Sequence, residues 1–529
     1  MLAHDRITFC ARLMGRLVLW GTIFLLAVGC AVGPDYVAPQ TEIPKAWTGV
    51  TTPSVSQTSV PTSKTMELVE WWKAFDDPML TSLVERAITA NLDLRLAEAR
   101  VRQARATRAG VAAGFWPTLD TSGSYRRSYG SSNSSNSGAS RSSSNSSGVS
   151  LFQAGLDAAW ELDFFGGVRR SIEASDADLQ AAVEDHRDVL VSLVAELGTN
   201  YINLRGIQQQ IAIAHKNLEA QEHTAEITRK RHQAGFASGL DVANAEAQVA
   251  TTQSQIPVLE SSAQTAIYSL SILLGKEPAA LVPELAAEAP IPPTPPEVPV
   301  GLPSELLRRR PDIRRAEAQV HSATAQIGVA TADLFPKFSL SGSFGYASNT
   351  LGSLTNWTNR FWFIGPMVSL PIFNAGKIRS NIEVQNALQE QTLVTYQKTV
   401  LTALKDVESA LVAYAKEQEH RKSLTQAVTH NRRAVELALQ LYTAGRTDFL
   451  NVLNAQRSLF VSEDALAQSI RSVSTQLVAL YKALGGGWEE ELANSVSQPQ
   501  VITEPVIAET PAIRGQAKTT IQQAVSNEP

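Results

Sequence analysis

Two periodicities divide the chain. From Leu151 to Phe164, Phe152, Ala154, Leu156, Ala158, Trp160 and Leu162 alternate with Gln153, Asp157, Glu161 and Asp163. Period two means a strand with one apolar and one polar face. A shift of 210 residues gives a second apolar face, Trp362, Ile364, Pro366, Val368 and Leu370. A third strand sets Phe338, Leu340, Phe344 and Tyr346 against Lys337, Ser339, Ser341 and Ser343, and a fourth follows Pro117 in FWPTLDTSGSY. Beyond each strand pair the period becomes seven. Val183, Leu190, Leu197, Leu204, Ile211, Leu218 and Ala225 are evenly spaced, and 210 residues on stand Leu393, Val400, Val407, Tyr414, Arg421, Val428 and Val435. Such a repeat predicts helices supercoiled against neighbours. No proline interrupts Ser171 to His232, so a gap-free helix there spans roughly 93 Å. Ser380 to Thr443 predicts its counterpart. Shorter helices over about residues 80–113 and 240–274 give two stacked elements beside one long one.

The order is written twice. NLDLRLAEARVRQARA (91–106) aligns with RPDIRRAEAQVHSATA (310–325) at an offset of 219, placing Asp93, Ala97, Glu98, Ala99 and Val101 on Asp312, Ala316, Glu317, Ala318 and Val320. Pro117 and Pro336 and the SGS-aromatic runs after them obey the same offset. AGFASGLDVANAE (234–246) then matches AGRTDFLNVLNAQ (444–456) at 210. The difference of nine residues points to the serine-rich SSNSSNSGASRSSSNSSG, too poor in apolar side chains to offset its ordering entropy. Each unit reads helix, strand, loop, strand, long helix, tight turn, helix.

Four strands of roughly 10–13 residues have the length of tilted membrane-spanning strands. In lipid a sheet must close, because nothing there satisfies an open edge. The smallest bacterial barrels have eight strands. Four cannot close alone, so several chains must share one barrel. A soluble coiled-coil rod explains the helices but leaves the amphipathic strands without a purpose.

The N-terminus adds a destination. Arg6, Arg12 and Arg16 precede the apolar run Leu17 to Val28, and LAVGC ends at Cys30. Residues 1–29 read as a lipoprotein signal peptide cleaved before Cys30; the alternative is an ordinary cleavage site with an incidental cysteine. The chain has two cysteines, Cys10 and Cys30, and cleavage leaves one. A lone N-terminal cysteine suits a thioether-linked lipid better than a disulfide, and stable anchoring needs more than one acyl chain. The formal charge of -5 becomes -7 without the leader, 43 Lys+Arg against 50 Asp+Glu. That balance gives no footprint for nucleic acid.

Several stretches together resemble the outer-membrane efflux proteins, the TolC-like channels, in their lipid-anchored NodT-type branch. They are CAVGPDYVAP (30–39), WWKAFDDPMLTSLVERA (71–87), LPSELLRRRPDIRRAEAQV (302–320), LYTAGRTDFLNVLNAQRSLF (441–460) and ALGGGW (483–488). The resemblance implies a homotrimer whose 12-stranded outer-membrane β-barrel continues into a periplasmic α-helical barrel, an α+β membrane protein. It implies Cys30 carrying S-diacylglycerol and N-palmitoyl, with Ala31 after it as in lipoproteins sent to the outer membrane. It also implies two partners, a periplasmic adaptor and an inner-membrane RND transporter. The implied role is a passive duct of a tripartite efflux system; the alternative is the duct of a protein-secretion system.

Gly235 and Gly445 end the long helices in turns expected at the periplasmic tip, glycine suiting a left-handed C-cap. The resemblance assigns the resting aperture to Leu450 and Asn454, with Arg457 one turn on. Members of the family often carry an acid where Asn454 stands, and Arg446 and Asp448 are the charges that can replace it. Ordinary hairpin chemistry is the competing explanation of these turns. The RRRPDIRR cluster reads as structural, with Pro311 opening a helix, Asp312 at its N-terminal end and the arginines paired locally or facing water.

Catalysis finds no foothold. His215, His223 and His232 are not spaced as metal ligands, and no phosphate loop, dinucleotide fingerprint or nucleophile elbow occurs. The expected organisation is leader 1–29, lipidated tether 30–70, first repeat 71–277, Pro-rich linker 278–303, second repeat 304–484, and C-terminal segment with polar tail 485–529. Asp157, Glu161, Lys337 and Ser341 are expected to line water.

Overall fold

A computed structural model describes residues 31–48, 60–62, 69–129 and 148–488. The leader, Cys30, most of the serine-rich segment and the polar tail lie outside the described residues.

The duplication holds element by element after the opening helix, whose place in the second copy is taken by the four-residue helix Leu306–Arg309. The first repeat contains α1 (Pro78–Ala90), α2 (Leu92–Ala113), β1 (Thr118–Ser128), β2 (Val149–Leu162), α3 (Gly167–Gln233) and α4 (Gly239–Leu273). The second contains α5 (Pro311–Ala332), β3 (Lys337–Ser348), β4 (Arg360–Ser369), α6 (Lys377–Thr443) and α7 (Phe449–Ala483). Helices α2 and α5 have 22 residues each, α3 and α6 have 67, and α4 and α7 have 35. The offset changes from 219 to 210 between the strands of each pair, where the serine-rich segment lies. At 1.5 Å per residue α3 and α6 are each about 100 Å long. They begin a few residues before the sequence-based boundaries.

The expected helix over 80–113 is broken. Asn91 leaves the helical region, its Oδ1 accepts from Leu94 N at 2.9 Å, and its Nδ2 donates to Leu273 O at 2.9 Å. One side chain thus caps the start of α2 and the end of α4. Arg310 holds the equivalent place in the second repeat, its Nη1 donating to Ala483 O at the end of α7 at 3.0 Å. This is how two shorter helices stack beside one long one, each junction satisfying a terminal carbonyl.

The arginine cluster follows its expected reading in part: Arg310 pairs locally with Asp312, and Arg308 is exposed. Arg314 and Arg315 do not face water but pair with Glu184 and with Asp185 and Asp188 on α3. Burial raises the Glu184 carboxyl above its ordinary range, although Arg314 and Arg187 pull the other way. Trp488 lies between the Arg187 and Arg314 guanidiniums, 4.8 and 5.3 Å from its ring, and donates to Arg309 O. The WWKAFDD stretch forms a buried wedge: Trp71 stacks on Tyr481 and reaches Gly198, where a Cβ would meet its ring at 3.1 Å. Asp77 caps α1 through Met79 N and Leu80 N and accepts from Tyr201 Oη.

The heptads face inward. Leu190, Leu197, Leu204 and Ala225 on α3, and Val400, Val407, Tyr414 and Val428 on α6, are buried. Helix α3 packs against α2, α4, α5 and α7, whereas α6 packs against α5 and α7. Val384, Leu388, Val394, Leu401 and Val412 therefore remain exposed on α6.

Candidate functional site: the strand wall and the helical tip

The four long strands form one antiparallel sheet in the order β1-β2-β3-β4. They contain 11, 14, 12 and 10 residues. Register puts Leu119, Tyr125, Phe152, Leu156, Phe344, Trp362 and Ile364 on one face. Trp362 is 70% and Ile364 67% exposed, so nothing among the described residues covers this side. The opposite face carries Asp120, Ser122, Asp157, Glu161, Lys337, Ser339, Ser341 and Ser343. The four polar residues singled out from the sequence thus share a face. Each outer edge, β1 and β4, lacks a neighbouring strand among the described residues.

Curvature has a local cause. Gly155 and Gly345 are direct cross-strand partners on the polar face. A Cβ at Gly345 would stand 2.5 Å from Ala154 O and 2.8 Å from Gly155 Cα. The strands approach here more closely than any side chain permits, a device that bends sheets. The Phe361 ring, cross-strand from Gly345, fills the space over the pair.

At the far ends of the long helices both turns close alike. Gly235 has φ +80 and Gly445 φ +71. Phe236 N donates to Arg231 O and Arg446 N to Leu441 O, both at 2.8 Å. These are six-to-one closures that need a left-handed residue, hence glycine. Ser238 and Asp241 complete a capping box at the start of α4, whereas Asp448 makes no side-chain cap at the start of α7.

The residues that the resemblance assigns to the aperture are sorted by helix face. Phe449, Val452 and Leu453 of α7 are buried with Tyr442, Ala225 and Ala245. Leu450, 57% exposed, and Asn454 lie on the outward side, one turn apart. Arg457 continues that stripe, but its Nε donates to Gln248 Oε1 on α4 at 2.7 Å. Arg446 and Asp448 are exposed and form no ion pair with each other among the described residues.

Further ties between the hairpins escaped the sequence reading. The Arg231 guanidinium lies 4.8 Å from the Tyr442 ring and donates to Thr443 O at 3.1 Å. Gln456 donates to Thr224 Oγ1 at 2.8 Å, and Tyr442 Oη to Thr228 Oγ1 at 3.4 Å. Only the basic run at 229–231, suited to a helix C-terminus, signalled any of this.

No group of three or more His, Cys, Asp or Glu able to hold a metal occurs among the described residues, and no described helix is long and apolar enough to cross a membrane. An uncovered apolar sheet face joined to helices of this length is the geometry of one wall segment of a channel. The family model described as outer membrane efflux protein matches residues 83–276 and again 302–486, one match per repeat and well over half the chain. The chain belongs to the outer membrane efflux protein family. It is 36% identical over 430 residues to the pyoverdine export outer membrane protein OpmQ of Pseudomonas aeruginosa, covering 81% of this chain and 90% of that one. It is 33% identical over 466 residues to nodulation protein T of Rhizobium leguminosarum bv. trifolii, covering 88% and 96%. Among solved structures, the outer-membrane channel OprN superposes with a TM-score of 0.79 at 38% identity, covering 87% of this chain and all of that one. The protein is thus an outer-membrane component of an efflux system with the TolC-like channel fold.

Proposed function

We propose that three copies close one barrel of twelve strands, edge β4 of each chain pairing with β1 of the next, and that this trimer is a passive exit duct. The observation that carries the reading is incompleteness: among the described residues, a four-stranded sheet with two open edges and an uncovered apolar face. In hydrocarbon each unpaired backbone group costs several kcal/mol. The uncovered apolar stripe of α6 supports the same conclusion for the helices. Cys30 carries S-diacylglycerol and N-palmitoyl and holds the chain at the outer membrane. A periplasmic adaptor engages the tip, and an inner-membrane RND transporter supplies energy and direction, since the duct has no energy source of its own. Leu450 and Asn454, with Arg457, Arg446 and Asp448 nearby, narrow the periplasmic aperture between the turns at Gly235 and Gly445.

The test is to extract the protein from outer membranes in detergent, measure its mass, reconstitute it in planar bilayers and identify co-purifying inner-membrane proteins. A trimer that passes ions and brings down an adaptor and transporter is expected. A monomer with no ion current would sink the duct reading; a trimer bringing down a protein-secretion machine would replace the efflux partners.

A further inference from the structure

Strand β4 breaks the alternation that β1 and β3 keep and that β2 keeps from Phe152 onward, Val149 and Leu151 at its start being apolar on the polar face. Its polar-face positions are Phe361, Phe363, Gly365, Met367 and Ser369, on the same side as the aspartates and serines of β1 to β3. Phe361 is explained by the Gly155–Gly345 pair that it covers. Phe363 and Met367 are not: they are 53% and 60% exposed. A water-filled lumen gives such side chains no burial to gain.

Register shows what stands beside Phe363. It pairs with Ser343, Ser343 with Asp157, and Asp157 with Asp120. One level of the wall therefore reads, strand by strand, aromatic, hydroxyl, carboxylate, carboxylate. Ser122 Oγ donates to Asp157 Oδ2 at 2.9 Å. The next carboxylate row holds Glu161 beside Ser339 and Met367. Two cations share this face: Lys337, paired with Asp333, and Arg126, six residues along β1 from Asp120. With strands about 4.8 Å apart, the aromatic ring and the Asp157 carboxylate are roughly 10 Å apart across the wall. That is the span of a small molecule with an apolar body and a cationic end.

We propose that Phe363, Asp157 and Asp120, with Ser343 buried between them as the spacer and supported by Met367 and Glu161, form a cargo-contacting surface that favours amphipathic organic cations. This deepens the duct reading and rests on it. The ring offers an apolar surface and a negative quadrupole face, and the carboxylates receive the charge.

The full-length protein in a planar bilayer, probed from the extracellular side, tests this with three solutes. Benzyltrimethylammonium carries ring and charge, tetramethylammonium charge alone, and benzenesulfonate the ring with opposite charge. The aromatic cation is expected to reduce the current at about ten-fold lower concentration than tetramethylammonium, the scale of an aromatic pair with its apolar contact, and benzenesulfonate to have no effect. Phe363→Ser should weaken the aromatic cation more than tetramethylammonium and so bring the two together, and Met367→Ser should act in the same direction should the first variant assemble poorly. Asp120→Asn with Asp157→Asn should weaken both cations. The proposal is overturned by an unchanged ratio of the two cations in Phe363→Ser and Met367→Ser, or by benzenesulfonate acting as strongly as the aromatic cation. Absence of any ion current would instead refute the duct reading.

Discussion

Replacing Gly345 by alanine tests whether the close approach at Gly155–Gly345 shapes the sheet. The added methyl would lie 2.5 Å from Ala154 O and 2.8 Å from Gly155 Cα, both backbone atoms, and 3.0 Å from Phe361 Cζ. The Phe361 ring can swing aside; the two backbone atoms cannot move without parting β2 from β3. Overpacking of this kind costs about 1–3 kcal/mol. Lengthening an adjacent ladder hydrogen bond adds about 1 kcal/mol. The loss is then roughly 2–4 kcal/mol per chain, repeated three times in a trimer. Gly342→Ala is the matched control. It sits three residues away on the same strand, on the apolar face, where a Cβ would meet Phe363 O at an ordinary 3.4 Å. There a methyl gains about 0.8 kcal/mol from apolar contact and strains nothing. Urea midpoints of the folded barrel, read by its band shift on unheated gels, should fall for Gly345→Ala and stay or rise for Gly342→Ala. Equal midpoints for the two variants would refute the close-approach explanation.

Other consequences can be measured in the same preparations. Leu450→Ser should raise the resting conductance of a reconstituted bilayer, and unchanged conductance would remove Leu450 from the aperture. Arg170, nearly buried, donates to Val32 O at 3.3 Å, Asp35 at 2.6 Å and Glu173 at 2.8 Å. It latches residues 31–48, which also dock through Tyr36 stacked on His321 and Trp47 Nε1 donating to Gly301 O. Arg170→Ala loses the two bonds that reach residues 31–48, about 1–2 kcal/mol together because Asp35 is largely exposed, so tryptic cleavage after Lys45 should quicken by about ten-fold where local opening limits it; an unchanged rate would show that the latch lies elsewhere. Glu184, raised by burial, holds its proton more tightly folded than unfolded. Stability should therefore fall as pH rises from the ordinary carboxyl range through the raised value. Asp188 is shifted the same way, also by burial first, so Glu184→Gln should flatten the slope of thermal midpoint against pH without abolishing it. Identical slopes would count against Glu184 as the titrating group.

What was legible in the sequence followed from periodicity. Apolar residues at every second or seventh position state which face is covered, and an offset between two copies locates an insertion. These signals placed the strands, the long helices and the turns at Gly235 and Gly445. They failed where one polar side chain serves two elements. Asn91 looks like an ordinary polar residue in a helical run, yet it ends one helix and closes another through Leu273 O. Arg314 and Arg315 look like a solvated charge run because their partners on α3 lie about 130 residues away. On β4 alternation marks the apolar face, but it carries no sign that Phe361, Phe363 and Met367 make the opposite face equally apolar.

The two hairpins, equal in length, are not equally held. Ser238 and Asp241 fix the start of α4 with reciprocal bonds, and α3 is packed on several sides. Helix α7 begins at Asp448 with no such bond, and α6 leaves a long apolar stripe uncovered. The position of the second tip therefore depends on ties to the first: Arg231 to Thr443 O, Gln456 to Thr224, Arg457 to Gln248. Each is worth about 1–3 kcal/mol at most, so a partner that offered equal hydrogen bonds could replace them at little net cost. The same chain that needs copies of itself to close a barrel thus carries, in its second hairpin, the part whose place is set by its neighbours and not by its own local sequence.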